Sequence, residues 1–322
     1  MKHYKITFLW VLVFIACSTP KQSNDPTLAS WNEGKAKSAI IEFINKTTNP
    51  ENASYIPVED RIAVFDMDGT ILLEKPNYVL FDFAIREINK RIVEKPELKN
   101  VQPFKAISEE DWEHFKKVGY FADDGLYSVL LYATDGFTNQ QYTDAVKQYF
   151  SEVKDKRFGQ SYNKLVYKPI LEFIDLLKEN QFEVYIVSGS DPQFTRSFCE
   201  EAIGISVTNV IGTTILTKFE ENPGASTLTR QHEFVQPIND EAGKPVNILN
   251  KIGKMPVVAI GNSRGDYHML QYSKNAPVSL QMIVNHDDEE REYKYHNEDM
   301  KELCAEKGWI EISMKNDFGV IF

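Results

Sequence analysis

Three cysteines in 322 residues are too few for a disulfide framework, and one of them, Cys17, lies in an amino-terminal stretch unlike the rest of the chain. The other two, Cys199 and Cys304, fall in helix-like segments and read as buried thiols. No Lys/Arg-rich run occurs and the net charge is −11, which argues against nucleic acid as a partner. No internal repeat and no low-complexity tract is visible. What remains is ordinary for a globular protein, with 42% hydrophobic and 26% charged residues. The length allows one large domain or a core carrying an insert.

The amino terminus is a different material. Lys2 and Lys5 precede a mostly apolar stretch, Ile6 to Ala16, which is too short to span a bilayer comfortably and fits a signal-peptide core (residues 1–16). The small Ala16 followed by Cys17 resembles a bacterial lipoprotein cleavage box, with Phe14 where the usual leucine would stand. On that reading Cys17 is the lipidated first residue of an exported protein, held to the membrane by its lipid alone. Residues 17–29 have no apolar periodicity and read as a tether. Removal of the leader leaves 34 basic residues against 47 acidic ones, so charge will not draw the body to an anionic membrane.

The informative stretch is Arg61 to Leu73. Ile62 to Phe65 reads as a buried strand and ends in Asp66 and Asp68, then Gly69 and Thr70. Open α/β sheets bind ligands at the carboxyl ends of strands. Two carboxylates at this spacing suit phosphoryl transfer through an aspartyl phosphate. One attacks phosphorus. The other protonates the leaving alkoxide and then deprotonates water. Gly69 permits a sharp turn, and the Thr70 hydroxyl can bond a phosphate oxygen.

Three later stretches extend the pattern. Glu183 to Ser188 is an apolar strand ending in a hydroxyl, followed by Gly189. Lys244 precedes a short amphipathic segment. Pro256 to Ile260 is a strand running into Gly261-Asn262-Ser263-Arg264-Gly265-Asp266. This ordered series resembles the haloacid dehalogenase-like (HAD) hydrolase superfamily, and within it the phosphatases related to phosphoserine phosphatase. The segments SWNEGKAKSAIIEFI, HDDEEREYKY and GWIEISMKNDFGVIF look like one group of bacterial members.

The resemblance implies roles. Asp66 is the nucleophile and Asp68 the acid–base residue. Lys244 holds the phosphate and the Asp66 carboxylate. Thr70, Ser188 and the Gly189 amide bind the equatorial oxygens. The implied cofactor is Mg²⁺, held by the Asp66 carboxylate, the Asp68 carbonyl and Asp266. Asn262 stands where a common family form has Asp, and it brings an amide oxygen without charge. Asp68 decides the reaction type. A dehalogenase needs no acid there, and a P-type ATPase has Thr. A phosphomutase needs a bis-phosphate pool that an exported protein lacks.

The chain order predicts an α/β fold: a Rossmann-like, mostly parallel sheet core (residues 30–75 and 164–322) with an inserted all-helical cap (76–163). Ser30 or Asn32 is expected to cap a first helix running to about Asn45. Segments 79–93, 109–121, 126–133 and 139–153 read as cap helices. The aromatics Tyr120, Phe121, Tyr127, Tyr132 and Phe137 are core or pocket lining. Pro169 to Asn180 and Thr195 to Ile203 read as helices, and Asn222-Pro223-Gly224 as the turn of a hairpin. Val278 to Val284 is the last obvious strand. His286-Asp287-Asp288 reads as the acidic first turn of a helix starting near Glu289, or as a metal cluster.

The substrate is a small phosphomonoester. Phosphoserine is one candidate: Glu74 lies eight residues after Asp66, near the position where such phosphatases hold the amino acid head, and Arg86 is available in the cap. Phosphocholine, caged by aromatics, is another. A different class stays open at this stage, a catalytically silent exported lipoprotein that keeps the fold as a binding module.

Overall fold

The computed structural model describes residues 28–119, 122–295 and 298–322. The expected leader, most of the tether, Cys17, Tyr120 and Phe121 lie outside the described residues. In chain order the strands are β1 (Ile62–Phe65), β2 (Glu183–Val187), β3 (Val210–Ile211), β4 (Ile215–Asn222), β5 (Ala225–Phe234), β6 (Val258–Gly261), β7 (Leu280–Asn285) and β8 (Ile310–Ser313).

Six of them make one parallel sheet in the order β3-β2-β1-β6-β7-β8. The chain leaves β1 toward β2 on one side and returns to β6 on the other. β1 and β6 therefore flank the point where strand order reverses, where open α/β sheets leave a crevice at their carboxyl ends. β1 is buried along its whole length, as an all-apolar run between two parallel neighbours requires. The helix Lys168–Glu179 carries Pro169 in its first turn and buries Ile170, Phe173, Ile174 and Leu177. Phe173 meets Phe65 of β1 edge-on at 5.7 Å.

Between β1 and β2 the insert folds as the helices Val79–Glu94, Phe104–Ser108, Trp112–Val118, Leu126–Thr134 and Asn139–Glu152. The last begins in a capping box made by Thr138 and Gln141. The hairpin β4–β5 leaves the core and seats on this insert. The Arg230 amide donates to the Phe137 carbonyl, and Thr138 bridges Thr229. Arg230 is buried. Its guanidinium bonds Asp191 at 2.5 Å and Thr134 at 3.2 Å, and lies 3.8 Å from the centre of the Tyr142 ring. Arg230 of the hairpin thus joins the core through a buried ion pair and the insert through the Thr134 hydroxyl and the Tyr142 ring. Cys199 and Cys304 are buried thiols. Among the described residues no helix is long and apolar enough to cross a membrane.

Several sequence expectations differ from what forms. The first helix is Lys35–Thr48, with Gly34 before it and no side-chain cap. Ser30 instead bonds Glu172, and Asn32 donates to the Asn316 carbonyl, so both tie this segment to other parts of the core. Thr195 to Ile203 is two short helices, Pro192–Arg196 and Cys199–Ala202, with the Ser197 hydroxyl donating to the Phe194 carbonyl between them. β8 adds an edge strand that the sequence reading passed over. No helix starts at Glu289: Asp288 accepts from the Glu290 and Arg291 amides and closes a turn. Arg291 reaches the Met314 and Phe318 carbonyls and holds that turn against the carboxyl terminus. The next helix is Glu298–Lys307.

Candidate active site

β1 delivers the Asp66–Leu73 loop to the switch point. Its strand continues as a hydrogen bond from the Asp66 amide to the Ile260 carbonyl. The loop then turns back, with the Gly69 amide donating to the Leu72 carbonyl at 2.7 Å. Gly69 has φ +76°, and a Cβ there would lie 2.0 Å from Asn262 Nδ2, so a side chain is excluded both by conformation and by the β6 loop.

Lys244 enters from the start of the helix Gly243–Ile252. Its buried Nζ lies 2.6 Å from Asp66 Oδ1, 2.6 Å from Asp266 Oδ1 and 2.9 Å from the Val187 carbonyl. The two carboxylates therefore face one another across a single ammonium. Asp266 Oδ2 accepts from the Asn262 and Ser263 amides, both at 3.0 Å. Asp66 and Asp68 sit in different surroundings. Burial pushes the Asp66 carboxyl well above its ordinary range, the Asp266 charge adds to this, and Lys244 opposes it. Burial also pushes Asp68 up to about 6, against the stabilising hydroxyl of Ser190, while Glu74 raises it further. For Lys244 burial disfavours the charge, but Asp266 and Asp66 outweigh it and hold the ammonium above its usual range.

Asp68 Oδ2 accepts from Ser190 Oγ at 2.9 Å and Ser188 Oγ at 3.3 Å. Its Oδ1 is buried without a partner, as is the Thr70 hydroxyl. These orphaned oxygens flank Gly69. A cavity of about 340 Å³ opens between core and insert. Of the residues expected from sequence, Asp66, Asp68, Lys244 and Gly189 line it. Ser188, Asn262 and Asp266 contact the site without lining the cavity, and Thr70 is buried beside it.

Sequence reasoning missed several lining groups. Ser190 makes the shorter bond to Asp68, and its signal was the second serine of Ser188-Gly189-Ser190. Tyr78 and Phe81 join Tyr127 in an aromatic wall, with Phe81–Tyr127 centroids 5.5 Å apart. Tyr132 and Phe137 instead pack against the core. Glu74 lines the cavity, 3.3 Å from Lys75 Nζ. Arg86 does not line it: it pairs with Glu152 along a separate groove of the insert. The cavity's arginine is Arg264, and Asp240 brings a further carboxylate. His286 is no metal cluster residue. It is buried beneath the β1 loop, bonded to the Gly69 carbonyl and to Glu292.

No curated protein matches the chain in sequence. Among solved structures, a conserved functionally unknown protein from Anaerococcus prevotii is 17% identical with a TM-score of 0.56, over 86% of this chain and 90% of that one. A phosphoserine phosphohydrolase-like protein from Francisella tularensis is 17% identical with a TM-score of 0.42, over 76% and 92%. Cytosolic 5'-nucleotidase IIIB bound to cytidine is 13% identical with a TM-score of 0.46, over 87% and 85%. At 17% identity the likeness to the Anaerococcus prevotii protein is one of fold. The model of the haloacid dehalogenase-like hydrolases matches residues 63–271, spanning the loop after β1, Lys244 and the loop after β6, and the chain belongs to that family.

Proposed function

We propose that the protein is a magnesium-dependent phosphomonoester hydrolase working through an aspartyl phosphate (an acyl phosphate) on Asp66. The observation that carries this is the pair of unlike carboxylates in one cavity. Asp66 is fixed on Lys244, whereas Asp68 is held by serines and pushed up to about 6. A carboxyl whose pKa lies near neutrality exchanges a proton in both directions at working pH. In the first step an Asp66 oxygen bonds phosphorus as the bond to the leaving oxygen breaks, and Asp68 protonates that oxygen. In the second, Asp68 takes a proton from water as the water oxygen bonds phosphorus and Asp66 leaves. Lys244, Ser188, Thr70 and the Gly189 amide hold the phosphoryl oxygens.

The donor chemistry fits a hard divalent cation. Asp66 and Asp266 share the Lys244 ammonium and Asp68 lies in the same cavity wall; burial raises Asp66, and the Asp266 and Asp68 charges add to it. Asp266 accepts from Lys244 on one oxygen and from two loop amides on the other, and its Oδ1 keeps a lone pair for a cation. We therefore assign the cation to the Asp66 carboxylate, the Asp68 carbonyl and the Asp266 side chain, with the Asn262 amide beside them. Mg²⁺ bound there supplies the charge compensation that lets an anionic carboxylate approach a phosphate dianion.

For the leaving group, Glu74 and Asp240 offer carboxylates to an amino group beside an aromatic wall. That supports a small amino alcohol ester such as phosphoserine or phosphocholine. Arg86 pairs with Glu152 away from the cavity, whereas Arg264 lines it. The protein acts, in this reading, as an exported lipoprotein anchored through Cys17, and Cys17→Ser leaves it unlipidated and uncleaved at that site. The activity is tested by p-nitrophenyl phosphate hydrolysis with and without Mg²⁺, followed by a panel of phosphate esters. Absence of magnesium-dependent turnover favours the silent binding module instead.

A further inference from the structure

The His286-Asp287-Asp288 stretch is neither a helix start nor a metal cluster, and the reaction as written does not use it. His286 follows β7 and is 1% exposed, and Glu292 is fully buried. The ring lies beneath the loop that carries Asp68. Its Nε2 is 2.7 Å from the Gly69 carbonyl. A carbonyl oxygen only accepts, so this contact requires a proton on Nε2. Its Nδ1 is 3.2 Å from Glu292 Oε2, and Glu292 Oε1 accepts from the Tyr167 hydroxyl at 3.2 Å. Tyr167 in turn donates its amide to the Ile71 carbonyl, so the chain of bonds begins and ends on the same loop.

We infer that His286 is a positioning residue for the aspartyl-phosphate chemistry, fixing the Gly69 peptide so that Asp68 and Thr70 face the reacting phosphate. This inference rests on the phosphatase reading. Gly69 has a left-handed φ and no side chain, so nothing of its own sets the orientation of the following peptide. On either side of it, Asp68 Oδ1 and the Thr70 hydroxyl have no partner. Turning that peptide displaces both. The imidazole donates to the peptide's carbonyl at the shorter distance, while the peptide's amide donates to the Met67 carbonyl at 3.2 Å, and β7, Glu292 and Tyr167 hold the imidazole. The same ring stacks on Tyr295 at 4.2 Å, and the Tyr295 hydroxyl accepts from Asn262 Nδ2 at 3.3 Å. One buried ring thereby couples the loop after β1 to the loop after β6.

The experiment compares His286→Gln with His286→Asn in the full chain. A glutamine amide nitrogen reaches the place of Nε2 and still donates to Gly69, whereas an asparagine amide reaches only the place of Nδ1. Misplacing a catalytic group by an ångström costs on the order of 10²-fold. With p-nitrophenyl phosphate and Mg²⁺, His286→Asn lowers kcat by about that factor while KM moves less than about threefold, because Lys244 and Ser188 come from other elements. His286→Gln recovers at least about tenfold of the loss, at an equal melting temperature. Equal kcat for the two variants, or a loss that simply follows melting temperature, overturns the inference. A second readout needs no variant and no turnover. Nitrogen-15 NMR of the wild-type chain, with histidine labelled, shows a slowly exchanging Nε2–H on His286; a bare Nε2 overturns the inference. A wild type without phosphatase activity but with that proton sinks the reaction while leaving the clamp on Gly69 in place.

Discussion

Asp68 gives the prediction with the clearest arithmetic. Its carboxyl is buried and pushed from 3.8 up to about 6, chiefly by burial. A raised carboxyl binds its proton more tightly in the folded chain than in the unfolded one. Folding stability from this group is therefore complete below about pH 4 and is lost as pH rises through about 6. The shift of roughly two units corresponds to about 3 kcal/mol at pH 8. Asp68→Asn keeps the shape and still accepts from Ser190 and Ser188, but never ionises. The variant should be more stable than wild type by about 3 kcal/mol at pH 8, and the gain should fade toward zero near pH 4. Urea unfolding of both proteins in EDTA, at a series of pH values, measures it. A variant that is less stable at pH 8, or a difference independent of pH, refutes the reasoning.

Lys244→Met removes the ammonium shared by Asp66 and Asp266, and kcat toward p-nitrophenyl phosphate should fall by about 10² to 10³. Arg230→Met leaves Asp191 buried without its partner, and should destabilise the fold by about 3 to 5 kcal/mol in chemical denaturation. Adding Asp191→Leu to that variant should return much of the loss, which a double-mutant cycle reads directly. Gly69→Ala forces a Cβ against Asn262 and should lower both melting temperature and kcat.

The sheet core was legible because its strands are apolar runs that end in polar loops. Ile62–Phe65, Glu183–Val187 and Val258–Gly261 could be read from composition alone, and each carries its site residue at the carboxyl end. β8 was hidden because four residues, IEIS, at a sheet edge have too short a period to register. The first helix was placed early because Ser30 and Asn32 have the chemistry of caps. Their partners, Glu172 and Asn316, are far off in sequence, and no local rule finds them. The same holds at the site. Asp66, Asp68, Lys244 and Asp266 were legible as a spaced series. His286, which bonds Gly69 across 217 residues, was read only by its acidic neighbours. Arg86 shows the converse: its residue type fitted substrate binding, but the helix Val79–Glu94 turns it toward Glu152.

The central claim is that phosphate passes through Asp66, and the most direct measurement is to trap it there. In Asp68→Asn the nucleophile remains while the base for the second step is gone. p-Nitrophenolate leaves with little protonation, so the first step still proceeds. After a brief exposure to p-nitrophenyl phosphate with Mg²⁺ and an acid quench, mass spectrometry should find about one added phosphoryl group on the peptide containing Asp66. The doubly substituted Asp66→Asn, Asp68→Asn chain should gain none. An unmodified Asp68→Asn protein that turns over at the wild-type rate would contradict the account.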